Sequence, residues 1–293
     1  MNMLRRIMNP LLTGLAFSGS FVAAKYTTSD LTPLVTTLLR YVIAVIFFGI
    51  IMATKRDNFR IKPRHLLAFV ALGLTGIVGY HYFFFTSLHY TRVANTAIIN
   101  GLSPIITGIM AALFIRERLS TTNWAGIIIA FAGVMILVTK GSASSITGME
   151  FNRGDLLMLI AVVCWAVYSL IVKRIVEQYS ALTITFISAL FGVLALMFLV
   201  IPENLSDQVR TISTESILSV LYMGVIASGL GYLFYNLSIK QLGPTRTSGF
   251  VYSTVPLLTA LLAFLFFSEP VTVTMLISAV LVIAGLQLAL RQK

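Results

Sequence analysis

An all-α polytopic membrane protein is the fold class this sequence predicts: ten transmembrane helices in a 5+5 inverted repeat, with both termini cytoplasmic. Three observations lead there. Hydrophobic residues make up 58% of the chain and charged ones 11%, for a mean hydropathy of +0.93. A water-soluble domain has no interior large enough to hide that apolar share. The apolar residues gather into ten stretches, near 8–26, 33–54, 66–87, 93–115, 122–140, 155–175, 181–201, 216–238, 245–267 and 271–290, each close to the roughly 20 residues of helix that cross a bilayer. Finally, the chain matches itself. A shift of 152 residues lays 95–117 on 247–269, with Pro104 on Pro256, Thr107 on Thr259, Leu113 on Leu265, Phe114 on Phe266 and Glu117 on Glu269.

This self-match runs without a gap from Gly79-Tyr80 on Gly231-Tyr232 to Ala132-Gly133 on Ala284-Gly285, and so long a match at one offset marks a duplication. Upstream the offset is 148, placing Lys173 on Lys25 and Trp165 on Phe17, with about four residues gained around 203–215. The expected organisation is a first five-helix repeat over 1–140, a polar, small-residue-rich linker over 141–154, and a second repeat over 155–293. Five crossings is an odd number, so the second repeat lies upside down relative to the first.

The net charge of +11 raises the question of nucleic acid, and its distribution answers it. Numbering the stretches assigns each loop to one of two sides. One side, with both termini, holds Arg5, Arg6, Lys55, Arg56, Arg60, Lys62, Arg64, Arg116, Arg118, Lys173, Arg174, Lys240, Arg246, Arg291 and Lys293; the other holds only Lys25, Arg92, Lys140, Arg153 and Arg210. That asymmetry is the positive-inside pattern and puts both termini in the cytoplasm. No compact basic cluster with interleaved aromatics argues for nucleic acid.

The stretches carry distinct signals. The first has Gly14, Ser18, Gly19 and Ala23, small residues that admit another helix closely. It is longer than a signal h-region and lacks a small-residue cleavage site, so it is read as retained. The second begins after Pro33 and carries Arg40 about two turns in, a depth that is costly unless the side chain snorkels or faces water or a partner. Snorkelling towards the outer surface is the preferred expectation, with a countercharge for a substrate carboxylate as the other. The third places Gly73, Gly76, Tyr80, Phe84 and Ser87 broadly on one face. The fourth contains Pro104, and an Arg116-Glu117-Arg118 turn leads into the fifth, with Gly126, Ala130 and Gly133. Lys25 and Lys173 close equivalent helices and are explained by interfacial anchoring or by charge at a helix C-terminus. Glu117 and Glu269 are expected to cap the helices that follow them.

Inverted repeats are a hallmark of secondary transporters, in which the repeat interface holds the substrate. The residues also resemble a known family. FSGSFVAAK and CWAVYSLIVK look like its WxxxFVxxK-type opening helix. The first half's proline followed by ERLS and GIIIAFAGV, and the second's proline followed by SEPVT and LISAVLVIAG, resemble its repeat endings. This is the EamA-type branch of the drug/metabolite transporter superfamily, and the resemblance covers nearly the whole chain. It implies a ten-helix inverted-repeat carrier, often an exporter of amino acids or other small metabolites, with the third, fourth, eighth and ninth helices lining the cavity and the first and sixth contributing. One departure is Phe17, which stands where the family's first repeat usually has tryptophan.

Candidate binding residues follow from the kinks and the aromatics. Pro104 and Pro256 have no N–H, so the carbonyls of Asn100 and Tyr252 lose their helical partners, and freed carbonyls at membrane depth are tolerated where they line a cavity or pack on protein. Tyr80, His81 and Phe84 match Tyr232, Leu233 and Asn236, with Tyr235 beside them. Aromatic and amide groups there suit an amphipathic substrate, through stacking and hydrogen bonds; filling helix interfaces is the competing role for each ring. Tyr232 and Asn236 lead, because buried polar groups in a bilayer need partners. Trp165 and Tyr168, one turn apart, flank the same cavity or pack. His81 is the only histidine well inside a helix and has proton coupling, ligand contact or bundle hydrogen bonding open to it.

The absences narrow the mechanism. All ten acidic residues fall in loops or at helix ends, so no mid-membrane carboxylate relay is present, and no Walker loop for ATP occurs. A lone cysteine, Cys164, excludes a disulfide within the chain and a cysteine-based metal site. No cofactor or metal is implied; the partners are a small-molecule substrate and the lipid bilayer, with oligomeric state left open and a monomer admissible. The expected function is a secondary carrier, exporting amino acids or related metabolites across a bacterial or archaeal cytoplasmic membrane. The alternatives are a carrier of larger organic cations, drugs or sugar conjugates, a membrane-embedded enzyme, for which three scattered histidines supply no catalytic cluster, and a structural protein.

Overall fold

The computed structural model describes residues 3–27, 30–55, 61–87, 89–91, 99–139, 141–142, 152–267 and 272–290. Among these the chain is helical, with no strand. The long helices are α1 (Met3–Thr27), α2 (Pro33–Lys55), α3 (Pro63–Ser87), α4 (Ile99–Ile115), α5 (Thr121–Val138), α6 (Arg153–Ile175), α7 (Ala181–Leu199), α8 (Thr214–Leu242), α9 (Pro244–Phe267) and α10 (Val273–Ala289), with a short helix over Leu205–Arg210 between α7 and α8. Six of them, α2, α3, α5, α6, α7 and α8, are long and apolar enough to cross a membrane, and α4 and α10 are shorter apolar helices. The protein is thus a polytopic helical membrane protein. Most of the expected linker, residues 143–151, lies outside the described residues, as do Glu269 and the side chain of Lys25.

Two helices depart from regular α geometry at equivalent places. α3 contains a π-helical segment over Gly73–Gly79 and α8 one over Met223–Gly231; in both, α geometry resumes at the next residue, Tyr80 or Tyr232. The segments read GLTGIVG and MGVIASGLG. Glycine tolerates the altered backbone, and such bulges inside helices are frequent at functional sites.

The two prolines behave differently. A turn at Leu102 interrupts α4, and the regular helix starts at Ser103, so Pro104 stands in a first turn, where a missing N–H costs nothing. The Ser103 hydroxyl donates to the Asn100 carbonyl at 2.6 Å, supplying the partner that proline withholds. Pro256 instead lies inside the continuous α9.

Hydroxyl and amide caps define the helix starts. Ser120 and Asn123 form a capping box at α5, Asn152 and Asp155 another at α6, and Ser180 caps α7. Glu117 therefore does not cap α5 as expected. Its carboxylate accepts the Thr245 hydroxyl at 2.6 Å, joining the end of α4 to the start of α9.

Glycines set the closest crossings. A methyl group on Gly126 would fall on the backbone of Gly285 and Ala289, so α5 and α10 touch main chain to main chain. Gly73 likewise admits the backbone of Gly192, bringing α3 onto α7. The polar contacts sort into two ends of the bundle. At one, Glu117 meets Thr245, Arg174 donates to the Phe114 carbonyl at 3.0 Å, His65 meets Tyr179 at 2.8 Å and Lys240 pairs with Glu177 at 3.7 Å. At the other, Asp30 accepts from Ser213 N–H at 3.0 Å, Gln208 from Thr32 N–H at 2.8 Å and Asp155 from the Thr91 hydroxyl at 2.6 Å.

Candidate functional site

Between the two halves lies a cavity of about 80 Å³. Phe17, Ser20 and Ala24 of α1 line it, with Arg40 of α2, Tyr80, His81, Phe84 and Phe85 of α3, Asn100 of α4, Trp165 of α6, Tyr232 of α8, and Tyr252 and Val255 of α9. The regular turn that begins after each π segment carries a lining tyrosine, Tyr80 in α3 and Tyr232 in α8.

Trp165 is the hub. Its ring lies 5.1 Å from Tyr80, 5.3 Å from Tyr232 at 90°, 6.1 Å from Phe17 at 72° and 6.2 Å from Tyr252 at 85°. Edge-to-face contacts of this kind hold aromatic walls in defined orientations. Tyr80 and Phe84 stack in parallel at 6.0 Å.

Of the residues expected to bind substrate, Tyr80, His81, Phe84, Asn100, Trp165, Tyr232 and Tyr252 share this wall. Tyr168, Tyr235 and Asn236 do not line it; they form a buried layer behind it. Trp165 Nε1 donates to the Tyr235 hydroxyl at 2.9 Å, which also meets Ser169 Oγ at 2.9 Å. Tyr168 donates to Asn236 Oδ1 at 3.0 Å, and Asn236 Nδ2 donates to Thr185 Oγ1 at 2.9 Å. Each polar atom in this layer has a partner within the bundle, as burial in a bilayer demands. The Tyr232 hydroxyl is also committed, donating to the Gly76 carbonyl of the α3 π segment at 2.7 Å. What Tyr232 presents to the cavity is its ring.

His81 is buried, and its Nδ1 lies 2.9 Å from the Ile77 carbonyl. A carbonyl only accepts, so Nδ1 carries a proton, leaving Nε2 as the atom for other contacts.

Arg40 overturns its preferred expectation. It does not snorkel: the residue is 5% exposed, its Nε donates to Ser228 Oγ at 2.7 Å, and its Cζ sits 5.7 Å from the Tyr41 ring centroid. α2 enters the bundle with Val35, Leu38, Tyr41 and Ala44 all buried, which carries position 40 inward with them.

Sequence reasoning missed Ser20, Ala24, Phe85 and Val255, and marked Phe17 only as a departure. The spacing 17–20–24 is one helical face and was the available signal for α1; Phe85 and Val255 are ordinary apolar residues with none. Among the described residues no group of three or more His, Cys, Asp or Glu is placed to hold a metal ion.

Comparisons with known proteins bear on what such a cavity serves. The profile described as the EamA-like transporter family matches residues 6–139 and again 152–291. An uncharacterized transporter of Bacillus subtilis, YyaM, is 31% identical over 274 residues, covering 92% of this chain and 88% of that protein. An uncharacterized transporter of Archaeoglobus fulgidus is 27% identical over 276 residues, 94% of each chain. A solved crystal structure superposes with a TM-score of 0.79 at 19% identity, covering 98% of this chain and 97% of its own, which is a likeness of fold.

Proposed function

The chain belongs to the EamA-like transporter family, within the drug/metabolite transporter superfamily, and we propose that it is a secondary carrier exporting amino acids or related small metabolites across the cytoplasmic membrane by alternating access. The observation that carries this reading is the pairing in the cavity wall. Phe17 and Trp165, Tyr80 and Tyr232, and Asn100 and Tyr252 are equivalent positions of the two halves of the sequence, and all six line the same space. In an inverted-repeat carrier the substrate sits where the halves meet, and access alternates as they exchange conformations.

The described contacts support ten crossings with both termini inside, because residues from the basic loops meet one another at one end of the bundle and residues from the other loops at the opposite end. From Trp165 the wall extends along α1 from Phe17 to Ala24 and along α3 from Tyr80 to Phe85, towards the end that holds Asp30 and Thr91. At the other end Gly108 of α4 packs on Thr245 and Trp124, and Glu117 holds Thr245. This arrangement corresponds to an outward-facing carrier whose cytoplasmic gate is the α4–α9 contact.

Counterflow in proteoliposomes tests the reading, with labelled aromatic, aliphatic and hydroxy amino acids and with Phe17→Ala and Tyr80→Ala beside the wild type. Saturable counterflow of one class, weakened by both substitutions in folded protein, is the expected result. Counterflow of none rejects amino acids and turns the search to drugs or sugar conjugates.

A further inference from the structure

We infer that Arg40 is the anion-binding residue of this cavity, and that the compound carried is an organic acid whose carboxylate docks on its guanidinium while an apolar body lies against Tyr80, Trp165 and Tyr232. The inference rests on the carrier reading above and adds the chemical class of the cargo.

Arginine stays protonated in any protein environment and has five N–H donors in a fixed fork. Here one donor is used, Nε on Ser228; no hydrogen bond from either Nη group is found among the described residues. Burying such a charge without a partner is costly, and in membrane proteins ionisable groups of this kind mark substrate paths. Among the described residues the single ion pair is Lys240 with Glu177, so Arg40 has no carboxylate partner among them. None of the residues lining the cavity is acidic. The space therefore carries an uncompensated positive charge, which repels organic cations and attracts anions.

Packing does not explain the residue. The offset of 148 places Ser188 at the equivalent position of the second half, and Ser188 is fully buried in α7. The fold accommodates a small neutral side chain there, so the charge is a property of this cavity and not of the helix crossing. A carboxylate answers the guanidinium's planar fork with two parallel hydrogen bonds, which no single-point acceptor reproduces. Amino acids satisfy the requirement through the α-carboxylate; so do acids lacking an ammonium group.

Quenching of tryptophan fluorescence in detergent-solubilised protein tests this, because Trp165 forms part of the wall. The probes are L-phenylalanine, 3-phenylpropionate, L-leucine and 4-methylvalerate, each beside its carboxamide, with tetraphenylphosphonium as a cation. Carboxylates are expected to bind, and their amides and the cation at least about tenfold more weakly. Arg40→Gln should abolish the preference and Arg40→Lys should keep part of it, as expected when a bidentate site is reduced to a point charge. Ser228→Ala, which leaves the Nη groups in place, should retain it and guards against a folding artefact. Amides that bind as well as acids, an Arg40→Gln protein with unchanged carboxylate affinity, or no binding by any probe would each overturn the assignment. Carboxylate binding that depends on Arg40 without counterflow of those compounds in liposomes would uphold it and count against the carrier reading instead.

Discussion

Phe17 and Trp165 meet edge to face, their centroids 6.1 Å apart and their planes at 72°, and they occupy the same position in the two halves of the sequence. A duplicated residue that touches its own copy lies close to the axis relating the copies. Both rings line the cavity, so a change at this contact alters the proposed site without touching the outer surface. Phe17→Ala should raise KM in counterflow by about tenfold, roughly 1.4 kcal/mol, while Phe17→Trp should stay within about threefold of wild type. Equal KM for all three proteins would remove α1 from the binding wall.

The layer behind the wall should respond differently. Asn236 is fully buried and satisfies both Tyr168 and Thr185. Asn236→Ala removes the acceptor of the buried Tyr168 hydroxyl, a loss of about 1–3 kcal/mol, and one donor to Thr185 Oγ1, which keeps its own bond to the Ala181 carbonyl at 2.8 Å. The expected outcome is a clearly lower melting temperature with KM unchanged in the protein that remains folded. A raised KM at unchanged thermal stability would move Asn236 into the binding site.

Glycine substitutions should separate crossings that need main-chain contact from those that do not. On Gly285 a methyl would strike the backbone of Gly126 and Ala130, and on Gly126 that of Ala289 and Gly285. Leucine at either position should lower the yield of folded, monodisperse protein severely, at a cost above about 3 kcal/mol. Gly49→Ala meets only a Phe186 ring carbon, at 3.8 Å, and should be neutral or slightly stabilising. A tolerated Gly285→Leu would mean that α5 and α10 do not cross this closely.

Glu117 gives its end of the bundle a pH signature: burial holds its carboxyl above the usual range, against the lowering effects of the Thr245 hydrogen bonds and the charges of Arg246 and Lys173. A carboxyl whose folded pKa exceeds its unfolded value favours the folded state most at low pH, and that contribution is lost as pH rises through the folded pKa. Glu117→Gln keeps an acceptor for Thr245 without the charge. Its melting temperature should match wild type in acid and gain on it as pH rises beyond the ordinary carboxylate range. A gap that widens towards acid would show a carboxylate stabilised by its surroundings.

Much of this protein was determined by its sequence alone. Hydropathy set the membrane class, because every long apolar stretch must find either lipid or protein. The repeat at 152 and 148 residues named in advance the pairs Tyr80 and Tyr232, Asn100 and Tyr252, and Phe17 and Trp165. Tertiary structure decided which polar atoms are free. Tyr232 and Asn236 looked alike as buried polar groups, yet the Gly76 carbonyl takes the hydroxyl of one, and Tyr168 with Thr185 takes the amide of the other. Only the fold turned Arg40 inward and gave it Ser228. The physical reason is that lipid and bundle interior are both apolar, so an apolar helix shows no strong period marking the face that meets its neighbours. Hydrogen-bond partners supplied from distant helices are written in no local stretch; they exist once the helices have packed.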